Sequence, residues 1–174
     1  MNLTPTVSGQ GEVLPQESAE LRVLLVGIGN EFRRDDGAGI FAARRIKGQK
    51  FPLITIKEEA GEGTALMEAW NKADAVILVD AVSSHRRPGT IDRLDLRSMA
   101  VPKSVRLFST HAFGVAQAVE LARSMGTLPA KVVLLGVEGE DFSPGSGLSS
   151  SVQTVMSRLE KMILDELSAL TSLP

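Results

Sequence analysis

The 174-residue chain carries 19 Lys and Arg against 21 Asp and Glu, a net charge of −2, with 43% hydrophobic residues. That is an ordinary globular balance, and it excludes bulk attraction to nucleic acid or to an anionic membrane surface. The absence of cysteine excludes disulfides, thiolate catalysis and cysteine-based metal sites. It suits a reducing compartment, so the expected location is the cytoplasm, and no apolar run reaches the roughly 18 residues of a transmembrane helix.

Residues 1–20, "MNLTPTVSGQGEVLPQESAE", have neither the basic n-region nor the apolar h-region of a signal peptide. They read as a flexible tail ahead of one α/β domain over 21–174. Leu21–Ile28 is an apolar run ending in glycine-rich sequence, a buried strand. Asp36–Lys47 reads as a helix, with acids at its start and Arg44, Arg45 and Lys47 at its end, as the helix dipole favours. Leu53–Lys57 is a short strand, and Thr64 is placed to cap a helix through Asn71. Ala75–Val79 is a second buried strand ending at Asp80, and "SSHRRPG" (83–89) is a loop. Thr90–Leu96 alternates as an edge strand does, and Val105–Phe108 is another short strand. Thr110 opens a largely buried helix to about Met125, and Lys131–Val137 is a third strong strand. The last helix starts near Ser150, with Gln153 at capping-box spacing. Its stripe of Val152, Val155, Met156, Leu159, Met162, Ile163, Leu167 and Leu170 is most simply core packing. Strands alternating with helices imply a single twisted, mostly parallel sheet with helices on both faces.

In such sheets function gathers beyond the carboxyl ends of the strands. Asp35 and Asp36 follow the first strand, Asp80 follows Ala75–Val79, and His111 follows the strand near Phe108. Each has a bland reading. Asp36 suits a first helical turn, Asp80 a strand-closing turn, and His111 a helix start with a satisfied ring. Asp35 faces solvent or caps the turn, His85 lies on a surface loop, and Asn30 orders the glycine turn. Convergence of Asp36, Asp80 and His111 on one rim raises the functional reading. Two carboxylates and an imidazole suit a divalent transition ion such as zinc or nickel, with positions left for water or substrate.

Rival motifs fit poorly. A dinucleotide fingerprint starting at Gly27 needs glycine at position 32, which is Phe32, and paired acids would repel a pyrophosphate. "GEGT" (61–64) lacks the lysine of a phosphate loop, and "PGSGL" (144–148) is not GxSxG. Asp36 and Asp80 could share a proton as an aspartic dyad does, but no DTG or DSG signature accompanies them.

The segments "VLLVGIGNEFRRDDGAGIFAARRI", "EAGEGTALMEAW", "ADAVILVDAVSSHRRPGTI", "FSTHAFGVAQAVELA" and "LLGVEGEDFSPGSGLSSSV" resemble, in this order, the hydrogenase maturation proteases over roughly residues 21–160. The resemblance implies an endopeptidase that removes a short C-terminal extension from the large-subunit precursor of a nickel–iron hydrogenase after nickel insertion. It maps the family's metal-contacting, catalytic positions onto Asp36, Asp80 and His111. Where the family often has glutamate, this chain has Asp36, one methylene shorter. "GVEGED" also lacks the proline many members carry. No permanently bound cofactor is expected, because the nickel comes with the substrate. The chain is expected to act as a monomer, with no nucleic-acid or membrane partner. Metal-assisted attack of water and general-base catalysis by Asp36 or Asp80 both remain open. Arg86 and Arg87 are most simply solvated charge, or meet the substrate tail. The alternatives are a non-catalytic nickel-dependent docking module and a self-sufficient metallohydrolase.

Overall fold

A computed structural model describes residues 21–49, 54–102, 106–107 and 113–171. The elements run β1 (Val23–Ile28), α1 (Ala38–Lys47), β2 (Ile54–Glu59), α2 (Gly63–Trp70), β3 (Ala75–Ser83), β4 (Ile91–Asp95), β5 (Arg106–Leu107), α3 (Val115–Ser124), β6 (Lys131–Glu138) and α4 (Ser150–Thr171), with a 3-10 turn, Arg34–Gly37, leading into α1. The sheet order is β2-β1-β3-β6-β4, and β5 pairs with the end of β3. β2, β1, β3 and β6 are mutually parallel, whereas β4 closes the edge antiparallel.

Side chains alternate across a strand, so each apolar strand feeds two cores. Val23 and Leu25 of β1 and Ile77 and Val79 of β3 face α1 and α4, against Ala42, Ile46, Met156, Leu159 and Ile163. Leu24, Val26, Val76 and Leu78 face α2 and α3, against Leu66, Trp70, Val115 and Val119. The expected stripe of α4 is buried along its length, from Val152 to Leu170, with Val155 and Met162 partly buried.

Element boundaries differ from the sequence reading at points with physical causes. The first helix is preceded by the 3-10 turn, so Asp36 lies in that turn and α1 proper starts at Ala38. α2 is capped by Glu62, not Thr64: its carboxylate accepts from the Thr64 and Ala65 N–H groups at 3.0 and 2.8 Å. Ser149, rather than Ser150, caps α4, its carbonyl accepting from the Gln153 N–H at 2.8 Å. β3 does not stop before Asp80; it runs on to Ser83, held by pairing with β6 through Val82 and Glu138. α3 starts at Val115, and within this helix, expected to be largely buried, Leu121 is exposed. The proposed tail 1–20, Leu53, Phe108 and the proposed helix start at Thr110 lie outside the described residues.

Candidate functional site

The chain leaves β1 in one direction to form β2 and in the other to form β3, so the crevice at the carboxyl ends of β1 and β3 is the topological switch point. β1 and β3 stay in register through Gly27 and Val79, and Asp80 is the next residue on β3. Alternation puts Asp80 on the same face as Val76 and Leu78, the side covered by α2 and α3. Its register partner on β6 is Gly136, where a Cβ would come within 2.9 Å of the Val82 side chain.

Asp36 reaches the same crevice through a tight glycine turn. Gly29 has φ +135°, and a Cβ built there would lie 1.7 Å from the Asp36 carbonyl oxygen. Only glycine lets the turn close this far. A Cβ on Gly39 would stand 2.1 Å from the Val79 carbonyl oxygen, so this glycine seats the start of α1 directly on β1 and β3. Asn30 orders the turn as expected: its Oδ1 accepts from the Phe32 N–H at 3.0 Å, and its carbonyl accepts from the Arg33 N–H at 3.0 Å.

Asp36 and Asp80 are both buried, 3% and 1% exposed. Asp36 Oδ1 and both carboxylate oxygens of Asp80 have no hydrogen-bond partner among the described residues. Burial lifts the Asp36 carboxyl to about 6, against the opposing pull of the Arg33 charge and the Asn30 backbone N–H. Burial also lifts Asp80 well above the ordinary carboxylate range, and the neighbouring Asp36 charge raises it further. Two desolvated acids in one crevice do not both ionise readily unless a cation joins them.

The adjacent aspartate behaves differently. Asp35 does not face solvent: it is fully buried, and its carboxylate accepts three backbone N–H groups, from Glu140 at 2.8 Å, Asp141 at 3.0 Å and Ser149 at 2.7 Å. Its own N–H donates to the Asp141 carbonyl at 3.0 Å. It therefore fastens the 139–149 loop onto the turn that carries Asp36. The two acids of the "DD" pair have divided roles, one holding a loop and one keeping its Oδ1 without a partner in the crevice.

His111 lies outside the described residues, so the crevice is described through its two carboxylates. Just beyond it, the Phe113 carbonyl accepts from the Gly63 N–H at 2.8 Å, which ties the start of the α3 segment to α2. Among the described residues no group of three or more His, Asp or Glu stands close enough to hold a metal ion. His85 is exposed with φ 62° in the 83–89 loop.

Sequence reasoning passed over Glu138. It is 3% exposed, and its carboxylate accepts from the Ser84 N–H and hydroxyl at 2.8 and 2.7 Å and from the Arg86 N–H at 3.2 Å. The available signal was an acid closing the apolar run "VVLLGVE", the same pattern that singled out Asp80. Asp35 gave no such signal, because nothing local distinguishes a loop-clamping acid from a helix-dipole acid.

A family model described as hydrogenase maturation protease (HycI) matches residues 54–166. The hydrogenase 2 maturation protease of Escherichia coli (strain K12) is 30% identical over 149 residues, covering 83% of this chain and 89% of that protein. The hydrogenase expression/formation protein HupD of Bradyrhizobium diazoefficiens is 27% identical over 139 residues, covering 77% and 71%. The solved structure of the hydrogenase maturating endopeptidase HybD from E. coli shares the fold, with a TM-score of 0.74 at 24% identity over 86% of this chain and 93% of that one. Among the described residues no helix is long and apolar enough to cross a membrane.

Proposed function

The chain belongs to the hydrogenase maturation protease family, a family of peptidases, and on that premise we propose that it removes the C-terminal extension of a nickel–iron hydrogenase large-subunit precursor after nickel insertion, using the substrate's nickel for recognition. The proposed setting is the cytoplasm, with the chain acting as a monomer. The observation that carries this reading is the pair of buried carboxylates at the switch point, of which Asp36 Oδ1 and both Asp80 oxygens have no hydrogen-bond partner among the described residues.

A buried carboxylate without a donor is costly in its charged form, and a divalent ion relieves that cost for two at once. Oxygen donors also suit nickel when an imidazole completes the set, the role proposed for His111. Nickel already seated in the precursor then docks against Asp36, Asp80 and His111, and a precursor without nickel offers this trio nothing to bind. The protein holds the scissile peptide beside the ion, which polarises the carbonyl or acidifies an attacking water. A second route has Asp36 as general base, favoured by a carboxyl lifted to about 6, near a working pH.

The test is cleavage of a nickel-loaded precursor read by mass spectrometry of its C-terminus. Asp36→Ala, Asp80→Ala and His111→Ala are expected to abolish cleavage while the circular-dichroism spectrum stays unchanged. Normal cutting by these variants would sink the site assignment. A precursor that binds without being shortened would point instead to a docking module.

A further inference from the structure

A second feature of the carboxyl edge is not needed for the cut itself. Between the 84–91 segment and the first turns of α4 lies a groove of about 820 Å³, lined by Arg86, Arg87, Thr90, Glu140, Thr154 and Arg158, among others. We propose that this groove anchors carboxylates on the C-terminal extension of the protein substrate. The proposal rests on the proteolytic reading above and names the chemistry of the tail that is removed.

Three observations carry it. Arg86 is paired with Asp92, but neither Arg87 nor Arg158 has a carboxylate partner among the described residues. Against three guanidinium groups the groove has one acid, Glu140, and its Oε2 already accepts from the Ser151 hydroxyl at 2.7 Å. The loop backbone that carries Arg86 and Arg87 is also held in place. Glu138 takes three hydrogen bonds from Ser84 and Arg86, the Thr90 N–H donates to the Arg87 carbonyl at 3.1 Å, and the Gly89 N–H donates to the Glu138 carbonyl at 2.8 Å. Gly89 has φ +79°, and a Cβ there would come within 2.7 Å of the Ser151 carbonyl oxygen, so the loop lies directly against α4. A loop fastened by a buried carboxylate presents its arginines with little ordering left to do on binding. Guanidinium groups match carboxylates in charge and in hydrogen bonding.

The position fits a tail that leaves the crevice. Loop 84–90 continues directly from β3, and four residues of strand from Asp80 to Ser84 span roughly 13 Å. A peptide cut at the crevice reaches the groove about four to six residues beyond the scissile bond. A net charge of −2 disfavours a polynucleotide as occupant.

The test uses the full chain, 15N-labelled, titrated with the acidic peptide acetyl-Glu-Gly-Glu-Gly-Glu and its lysine counterpart. The acidic peptide is expected to shift the amide signals of Arg87, Thr90 and residues 150–154, and 300 mM salt is expected to suppress the shifts. R87E/R158E is expected to abolish them, whereas Lys72→Glu, at the amino edge of the sheet, is expected to keep them. In the cleavage assay R87E/R158E is expected to raise KM for the precursor about tenfold with kcat unchanged. Shifts of equal size in R87E/R158E, no shifts in the wild type, or tighter binding of a single-stranded oligonucleotide at these residues would each overturn the groove. Wild-type cutting with an unchanged KM in R87E/R158E overturns the groove alone. A wild type that binds the peptide but leaves every precursor uncut overturns the proteolytic reading instead.

Discussion

Asp35 and Asp36 are neighbours of identical chemistry, and the structure gives them opposite effects on stability. Consider Asp35→Asn and Asp36→Asn, measured by urea denaturation of metal-free protein at pH 4.5 and pH 7.5. The Asp35 carboxylate accepts three backbone N–H groups. An amide keeps one acceptor oxygen and turns an NH2 toward donors, so one or two charge-assisted bonds are lost, a cost of about 2–5 kcal/mol. For Asp36 the sign reverses. Its carboxyl is lifted from 3.8 to about 6. Between those values the unfolded chain has released its proton while the folded chain still holds it. Stability therefore falls as pH rises from about 4 to 6, by roughly 3 kcal/mol at about 1.4 kcal/mol per unit. A neutral amide removes that loss. Asp36→Asn is thus expected to exceed wild type by only about 1 kcal/mol at pH 4.5 and by up to about 3 kcal/mol at pH 7.5. Asp35→Asn is expected to be weaker at pH 7.5. Equal destabilisation by both variants, or an Asp36→Asn effect that does not change with pH, would refute the division of roles.

Other outcomes follow from the packing. Gly29→Ala forces a Cβ into the Asp36 carbonyl at a φ of +135°, and a loss of at least about 3 kcal/mol in urea denaturation is expected. Glu138→Ala removes the acceptor for Ser84 and Arg86; limited trypsin digestion is expected to cut after Arg86 in the variant long before it does so in wild type. Leu159→Ala, at a fully buried position where α4 meets the sheet, is expected to cost about 2–5 kcal/mol in the same denaturation assay.

Much of this architecture is legible in the sequence because its signals are local. Three apolar runs mark the inner strands β1, β3 and β6, and the spacing from Val152 to Leu170 marks α4 as a helix against the core. Asp36 and Asp80 are singled out by convergence, because with His111 they follow strands expected to end on one rim. What escaped depends on tertiary partners. β3 runs past Asp80 because β6 continues beside it, and no pattern within "ILVDAV" reports that neighbour. Asp35 and Glu138 hold segments distant in sequence, 105 and 54 residues away, which no local rule reaches. Glu62 displaced Thr64 as the cap of α2 because its longer side chain reaches two N–H groups at once.

Under the proposed function, Asp36 and Asp80 read the metal of the substrate. The most direct test is one time course: purified chain incubated with the same large-subunit precursor in nickel-loaded and nickel-free form, each followed by mass spectrometry of the C-terminus. Shortening of the loaded precursor alone is the predicted result. Equal shortening of both forms would contradict it.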